Sequence, residues 1–132
     1  MMCIDFLMLN NVIDIHQRQI EVHGGSGGVR DEGLLLSALA MPQAAFFGEY
    51  AHKDIYEMAA AYLFHIVMNH PFVDGNKRTG SAAAIIFLGM NDIKLTADNP
   101  TLVEFTLAVA QSEKNKPEIT AFLKHHSRPL SQ

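Results

Sequence analysis

Several things are scarce in this chain, and each scarcity removes a class of protein. There is one cysteine, Cys3, so no disulfide framework can form within the chain, and a reducing cytosol suits it. There is no tryptophan, and aromatic residues make up only 8%. Positive charge is also short: ten lysines and arginines face fourteen acidic residues, for a net charge of −4 and a pI near 5.9. A general nucleic-acid binder would carry a basic stripe, so no direct nucleic-acid partner is expected. Long apolar runs are missing. The greasiest, Ala82 to Met90, is far too short to span a bilayer, so no membrane role is expected. The opening "MMCIDFLMLNN" lacks a basic region and is broken by Asp5, so it does not read as a signal peptide. What remains is a chain of 132 residues, 48% hydrophobic. It is expected to be a soluble, cytoplasmic, single domain over 1–132, long enough to bury a core.

Alternation with period two is rare, and helical spacing dominates. From about Leu9 to Val22, Val12, Ile15, Gln19 and Val22 fall near one face, with Ile13 and Ile20 beside it. "GGSGG" then ends that helix. Asp31 can cap "EGLLLSALA", which Pro42 closes. Asp54 can cap "IYEMAAAYLFHIVMNH", apolar nearly all round and therefore central. Pro71 stops it. A fourth helix runs from Asn76 through "AAAIIFLGM" to Asn91 and Asp92. A fifth, "TLVEFTLAVAQSE", follows Asn99 and Pro100, and a sixth, "EITAFLKHH", follows Pro117. The reading is an all-α bundle of about six helices. The methionines at 41, 58, 68 and 90 read as core filling. His65 reads as a core histidine with one hydrogen bond. His16, His23, His125 and His126 lack partners at zinc spacing and read as surface or capping residues.

The joint between the two central helices, "HPFVDGNKRTG" from His70 to Gly80, holds the chemistry. Gly75 permits an unusual turn, and a helix begins at Asn76. A helix N-terminus presents unpaired N–H groups and a partial positive charge, which suits phosphate. Lys77 and Arg78 lie in that first turn, where cations are unfavourable unless an anion joins them. Asp74 either caps the helix or holds Mg²⁺, which is bound by one or two carboxylates plus substrate phosphates. His70 either caps its helix or takes a proton from an attacking hydroxyl. As a helix end it is expected to accept alanine without loss of fold. "DGN" and "NKR" can equally be a turn and a solvated surface; together the parts describe phosphate transfer. "GGSGGVRD" does not follow a strand, so dinucleotide and P-loop readings fail their context. It reads as a connection, in which Arg30 and Asp31 either pair locally or line the site, the structural role being preferred.

"HPFVDGNKR" resembles the signature of the Fic/Doc (Fido) family, His-Pro-Phe-x-(Asp/Glu)-Gly-Asn-Gly-Arg-x-x-Arg. "GGSGGVRDEGLLLSAL" and "FLGMNDIKL" resemble flanking segments of its Doc (death-on-curing) branch, so the likeness runs from about Leu7 to Leu123. Lys77 replaces the second glycine and Ser81 the second arginine of the Fic form, as in the Doc branch. Met68 and Ala82 stand where a Doc site carries an arginine and an asparagine.

The resemblance implies a helical Fido bundle with the active-site loop between its central helices. It implies a toxin of a type II toxin–antitoxin pair that transfers the γ-phosphate of ATP, with Mg²⁺, to a Ser/Thr hydroxyl of a translation factor of the elongation factor Tu type, arresting translation. In that scheme His70 is the general base and Asp74 binds Mg²⁺. Gly75, Asn76, Lys77 and Arg78 hold the ATP phosphates, and Phe72 anchors the loop. The implied restraining partner is an antitoxin of the Phd type, whose tail folds as a helix in an apolar groove near the site, lined partly by the early helices. Three other readings stand beside this one: Fic-type AMP or nucleotidyl transfer, which Lys77 and Ser81 oppose; a catalytically silent partner-binding module, which intact His70 and Asp74 oppose; and a metal-dependent nuclease, which leaves Lys77 and Arg78 without a task.

Overall fold

The computed structural model describes residues 3–130; the first two methionines of the apolar opening and the last two residues lie outside the described residues. Among the described residues, six helices form: α1 (Leu9–His23), α2 (Glu32–Ala40), α3 (Ile55–Asn69), α4 (Asn76–Met90), α5 (Asn99–Ala110) and α6 (Lys116–His125). The fold is all-α, as the spacing predicts. Two short antiparallel pairs accompany it: β1 (Ala45–Phe46) with β2 (Glu49–Tyr50), and β3 (Ile93–Leu95) with β4 (Ser127–Pro129). Strands of two or three residues are too short for an alternating pattern to reveal.

The apolar character of α3 puts it at the centre. Met58 to Leu63, Ile66 and Val67 are all buried, and α2, α4, α5 and α6 pack around this helix. Burying Met58, Leu63, Ile66 and Val67 contributes about 1.5–3 kcal/mol each, which makes this helix the largest apolar contributor. Asp54 caps it by accepting from the Glu57 N–H at 2.9 Å. Tyr62, inside the core, accepts from the Leu7 N–H at 2.9 Å and so ties the incoming segment to the centre. Burial pushes its phenol up to about 12, so it stays protonated at any ordinary pH.

Four local expectations are corrected. The buried face of α1 is Val12, Ile15 and His16, while Val22 is exposed because the chain leaves the core after Ile20. Asp98 rather than Asn99 caps α5, accepting from the Thr101 N–H at 2.8 Å, and the helix ends at Ala110. Asn115 caps α6 in a reciprocal box with Glu118, so that helix starts one residue before Pro117. Met90, on the outer face of α4, is exposed, whereas Met58 fills the core.

Candidate active site

The joint between α3 and α4 is a short loop whose backbone is held on both sides. Ahead of it, α3 ends at Asn69, and His70 takes the left-handed conformation at φ 49°. This corrects the expectation that alanine is harmless there. Left-handed backbone costs an ordinary residue roughly 1–2 kcal/mol, and His, Asn and Asp tolerate it better. The His70 ring is exposed, with Nδ1 3.3 Å from the Met68 carbonyl. A carbonyl can only accept, so in that contact Nδ1 carries the proton and Nε2 has the lone pair that a base needs.

Phe72 is buried, as expected of an anchor. The Asn76 side chain clasps its main chain, accepting from the Phe72 N–H at 2.9 Å and donating to the Phe72 carbonyl at 3.0 Å. The Asn76 amide is therefore spent on the loop, and its contribution to an anion comes down to its N–H in the first turn of α4. Gly75 starts that helix at φ 77°, a left-handed position, and the Ile20 side chain lies 3.2 Å from where a Cβ would be. The φ is what favours glycine; the end of the flexible Ile20 side chain would need to give by only a few tenths of an ångström.

Asp74 is exposed, and its carboxylate does not cap α4. Oδ1 accepts from the Gly75 N–H at 2.8 Å and Oδ2 accepts from the Ser26 N–H at 3.3 Å. The glycine-rich segment is thus a second wall of the site. A Cβ on Gly25 would stand 2.6 Å from Asp74 Oδ2, so the missing side chain is what lets the two segments meet. A bridge between Val29 and Phe72, with the Val73 N–H donating to the Gly28 carbonyl at 3.0 Å, extends the contact. Arg30 completes it. Its guanidinium donates to the carbonyls of His70 (2.6 Å) and Asn69 (3.0 Å), satisfying the exposed C-terminus of α3. Asp31 caps α2 through the Leu34 N–H, so both residues have the structural roles read for them.

From Asp74 onward a groove of about 510 Å³ opens between α1, α4 and α5. Its lining includes Asp74, Gly75, Asn76, Lys77 and Arg78 from the loop and the first turn of α4, and the apolar Ile85, Leu102, Val103 and Leu107. His70 is not part of its lining. Lys77 and Arg78 are exposed, and among the described residues neither takes part in an ion pair. Ser81 bonds to Thr106 at 2.9 Å, linking α4 to α5 along the groove floor. The site therefore offers a base at one end of the loop, and a carboxylate, two cations and free N–H groups at the other.

The Fic/DOC family model matches residues 6–88, from the segment before α1 to near the end of α4. The chain belongs to this family. Two curated members show how close the likeness is. Toxin Doc of Mycolicibacterium smegmatis is 49% identical over 75 residues, covering 57% of this chain. Protein kinase doc of Escherichia phage P1 is 32% identical over 102 residues, 77% of this chain and 79% of that protein. The match to the mycobacterial relative spans 58% of its length, little more than half. All the family signature residues of this Fic/DOC chain, His70 to Arg78, fall inside the matched span.

Several residues of the site escaped the sequence. His16 is not a surface residue: it is 3% exposed and its ring stacks on Phe72 at 3.8 Å. The available signal was its position one turn after Val12 and next to Ile15, on the buried face of α1. Gly25 and Ser26 touch Asp74 across 48 or more positions of sequence, and no local pattern reports such a contact.

Proposed function

We propose that this Fic/DOC chain is a Doc-type toxin that transfers the γ-phosphate of ATP to a Ser/Thr hydroxyl of a translation factor of the elongation factor Tu type, and so arrests translation in the cytoplasm. The observation that carries this reading is the pair Lys77 and Arg78, exposed and without ion pairs among the described residues, at the positive end of α4 beside Asp74. Three sources of positive potential converging on open space fit a polyphosphate. The names of the two relatives, a toxin and a protein kinase, support it.

In this reading His70 Nε2 accepts the proton of the target hydroxyl. The hydroxyl oxygen bonds to the γ-phosphorus, the bond from that phosphorus to the β–γ bridging oxygen breaks, and ADP leaves with the electron pair. Lys77, Arg78 and the first N–H groups of α4 balance charge on the phosphate oxygens. Asp74 fits Mg²⁺ only in company with phosphates: it is a lone carboxylate, and no cluster of three metal-binding side chains exists among the described residues. When bound, Mg²⁺ would supply charge neutralisation between the phosphates.

The apolar lining of the groove fits the restraining partner, a Phd-type antitoxin tail laid down as an amphipathic helix, with exposed Ile85, Val103 and Leu107 as its contacts. Incubating the protein with elongation factor Tu, Mg²⁺ and ATP labelled at either the α- or the γ-phosphate tests the reaction. The γ-label alone should reach the factor. Transfer of the α-label would make the protein a Fic-type nucleotidyl transferase instead, and binding without either label would make it a silent module.

A further inference from the structure

His16 is the one buried histidine of the described chain, and the chemistry above gives it no part. It comes from α1, 58 positions before the loop it meets. One face of its ring lies on Phe72, the planes 5° from parallel. Its Nε2 is 2.8 Å from the Asp74 carbonyl oxygen. The carbonyl can only accept, so Nε2 carries the proton and donates it.

The Asp74 carbonyl belongs to the same rigid peptide plane as the Gly75 N–H. That N–H donates to Asp74 Oδ1 at 2.8 Å, so the plane and the carboxylate are tied together. Gly75 in turn sets the direction in which α4 begins, and the His16 ring lies 3.7 Å from the place of a Gly75 Cβ. Holding one oxygen therefore fixes two things: the aim of the carboxylate, and the orientation of the first N–H groups of α4. Simple packing against Phe72 needs a ring and no donor. The short bond to a loop carbonyl is a separate feature.

We propose that His16 is a positioning residue for the cation–phosphate end of the site, acting through its Nε2–H on the Asp74–Gly75 peptide. The proposal rests on the reading of Asp74 as the group that holds a divalent cation together with nucleotide phosphates.

The test is Mn²⁺ binding to the purified chain in the presence of a non-hydrolysable ATP analogue, followed by electron paramagnetic resonance, with the thermal midpoint measured on every variant. His16→Gln keeps an N–H donor at a similar reach, and His16→Met matches its length without the donor. Loss of an outer partner of a metal ligand typically costs about 10- to 100-fold in metal affinity, which is the weakening expected for His16→Met. His16→Gln should bind within about threefold of the unmutated chain, well inside that loss. Equal binding by His16→Met and the unmutated chain would overturn the proposal. So would equal weakening by both variants with their folds intact, since that assigns the effect to the ring. If His16→Met melts early, His16→Phe retains the stack on Phe72 without the donor and is held to the same expectation. Asp74→Asn separates the two layers: if it binds Mn²⁺ as well as the unmutated chain, the reading of Asp74 fails and the proposal falls with it, whereas loss of binding in Asp74→Asn with full binding in His16→Met sinks the proposal alone.

Discussion

Two polar regions border the central helix, and they are built in opposite ways. Along the seam between α3 and α6, polar groups close on one another. Lys116 Nζ donates to His65 Nε2 at 3.1 Å and stands over the Phe64 ring, while His52 faces Glu57 at 3.9 Å. At the joint between α3 and α4, the side chains that bond inward bond to main chain: Arg30 to two carbonyls, Asn76 to both groups of Phe72, His16 to the Asp74 carbonyl. The tips of Lys77 and Arg78 stay outward. The seam spends its donors on its own side chains, so that even the Lys116 ammonium, which has no carboxylate partner among the described residues, is held by a ring nitrogen and a ring face. The loop has its scaffold closed and two charges open, which is the arrangement the proposed phosphate ligand requires.

The contrast is broken most severely at His70. His70→Asn keeps a residue that tolerates left-handed backbone, so it should lower phosphate transfer by about 10²- to 10⁴-fold while the thermal midpoint stays in place. His70→Ala should lose the same activity and, in addition, about 1 kcal/mol of stability from its φ of 49°. Transfer assays and melting curves on both variants separate the chemical role from the backbone role; full activity in His70→Asn would remove the base from the mechanism.

Gly25→Ala comes next. The new Cβ would meet Asp74 Oδ2 at 2.6 Å, and the carboxylate is the part free to move. Displacing a positioned group in a site costs on the order of 10²-fold in rate, and because Gly25 sits at φ 111°, which strains any other residue, about 1–3 kcal/mol of stability should go with it. The check is the transfer rate, with its Mg²⁺ dependence, beside denaturant unfolding. An unchanged rate would make the glycine segment a bystander. Lys77→Gly removes one open charge. Charge-assisted hydrogen bonds of about 1.5–3 kcal/mol correspond to roughly 10- to 100-fold in γ-phosphate transfer, read with γ-labelled ATP. Stability should barely move, since a cation leaves the positive end of α4 as a glycine enters it.

These variants also mark what the sequence could and could not disclose. The helices were legible because their punctuation is local: Asp31, Asp54 and Gly75 act within three residues of where they stand. The loop residues from His70 to Arg78 were legible for the same reason, being contiguous. What holds the loop was not. His16 and Arg30 reach across about 40 to 58 positions, and each bonds to a backbone carbonyl, a group that every residue carries and that leaves no trace in the residue alphabet. His16 was misread because a histidine is polar by composition, while its ring is flat enough to stack on Phe72 and its N–H finds an acceptor in the Asp74 carbonyl. Val22 was misread because periodicity cannot say where a core ends.

The smallest expected effect lies at the closed seam, and it sharpens the comparison from the other side. Burial, with the neighbouring Lys116 charge and then His52, pushes His65 down to about 4 from its usual 6.5. It is therefore neutral in the folded chain near pH 7 and accepts from Lys116. Between pH 6.5 and about 4 the unfolded chain binds a proton at this ring that the folded chain does not, so stability must fall as pH falls through that window. His65→Gln offers a carbonyl oxygen to Lys116 and has no proton to gain. The variant should match the unmutated chain near pH 7 and exceed it at pH 4.5, by about 1 to 2 kcal/mol once solvent screening at this half-buried ring is allowed for. His52, lowered by its own burial and then by Lys116, leaves a residual slope of the same sign in both proteins. Urea midpoints at the two pH values measure the difference. Parallel midpoints would mean that His65 takes its proton in the folded state and that Lys116 swings away to allow it, in which case the seam is as open as the loop. Phosphate transfer at pH 7 should be the same for both proteins, because nothing in this seam faces the groove.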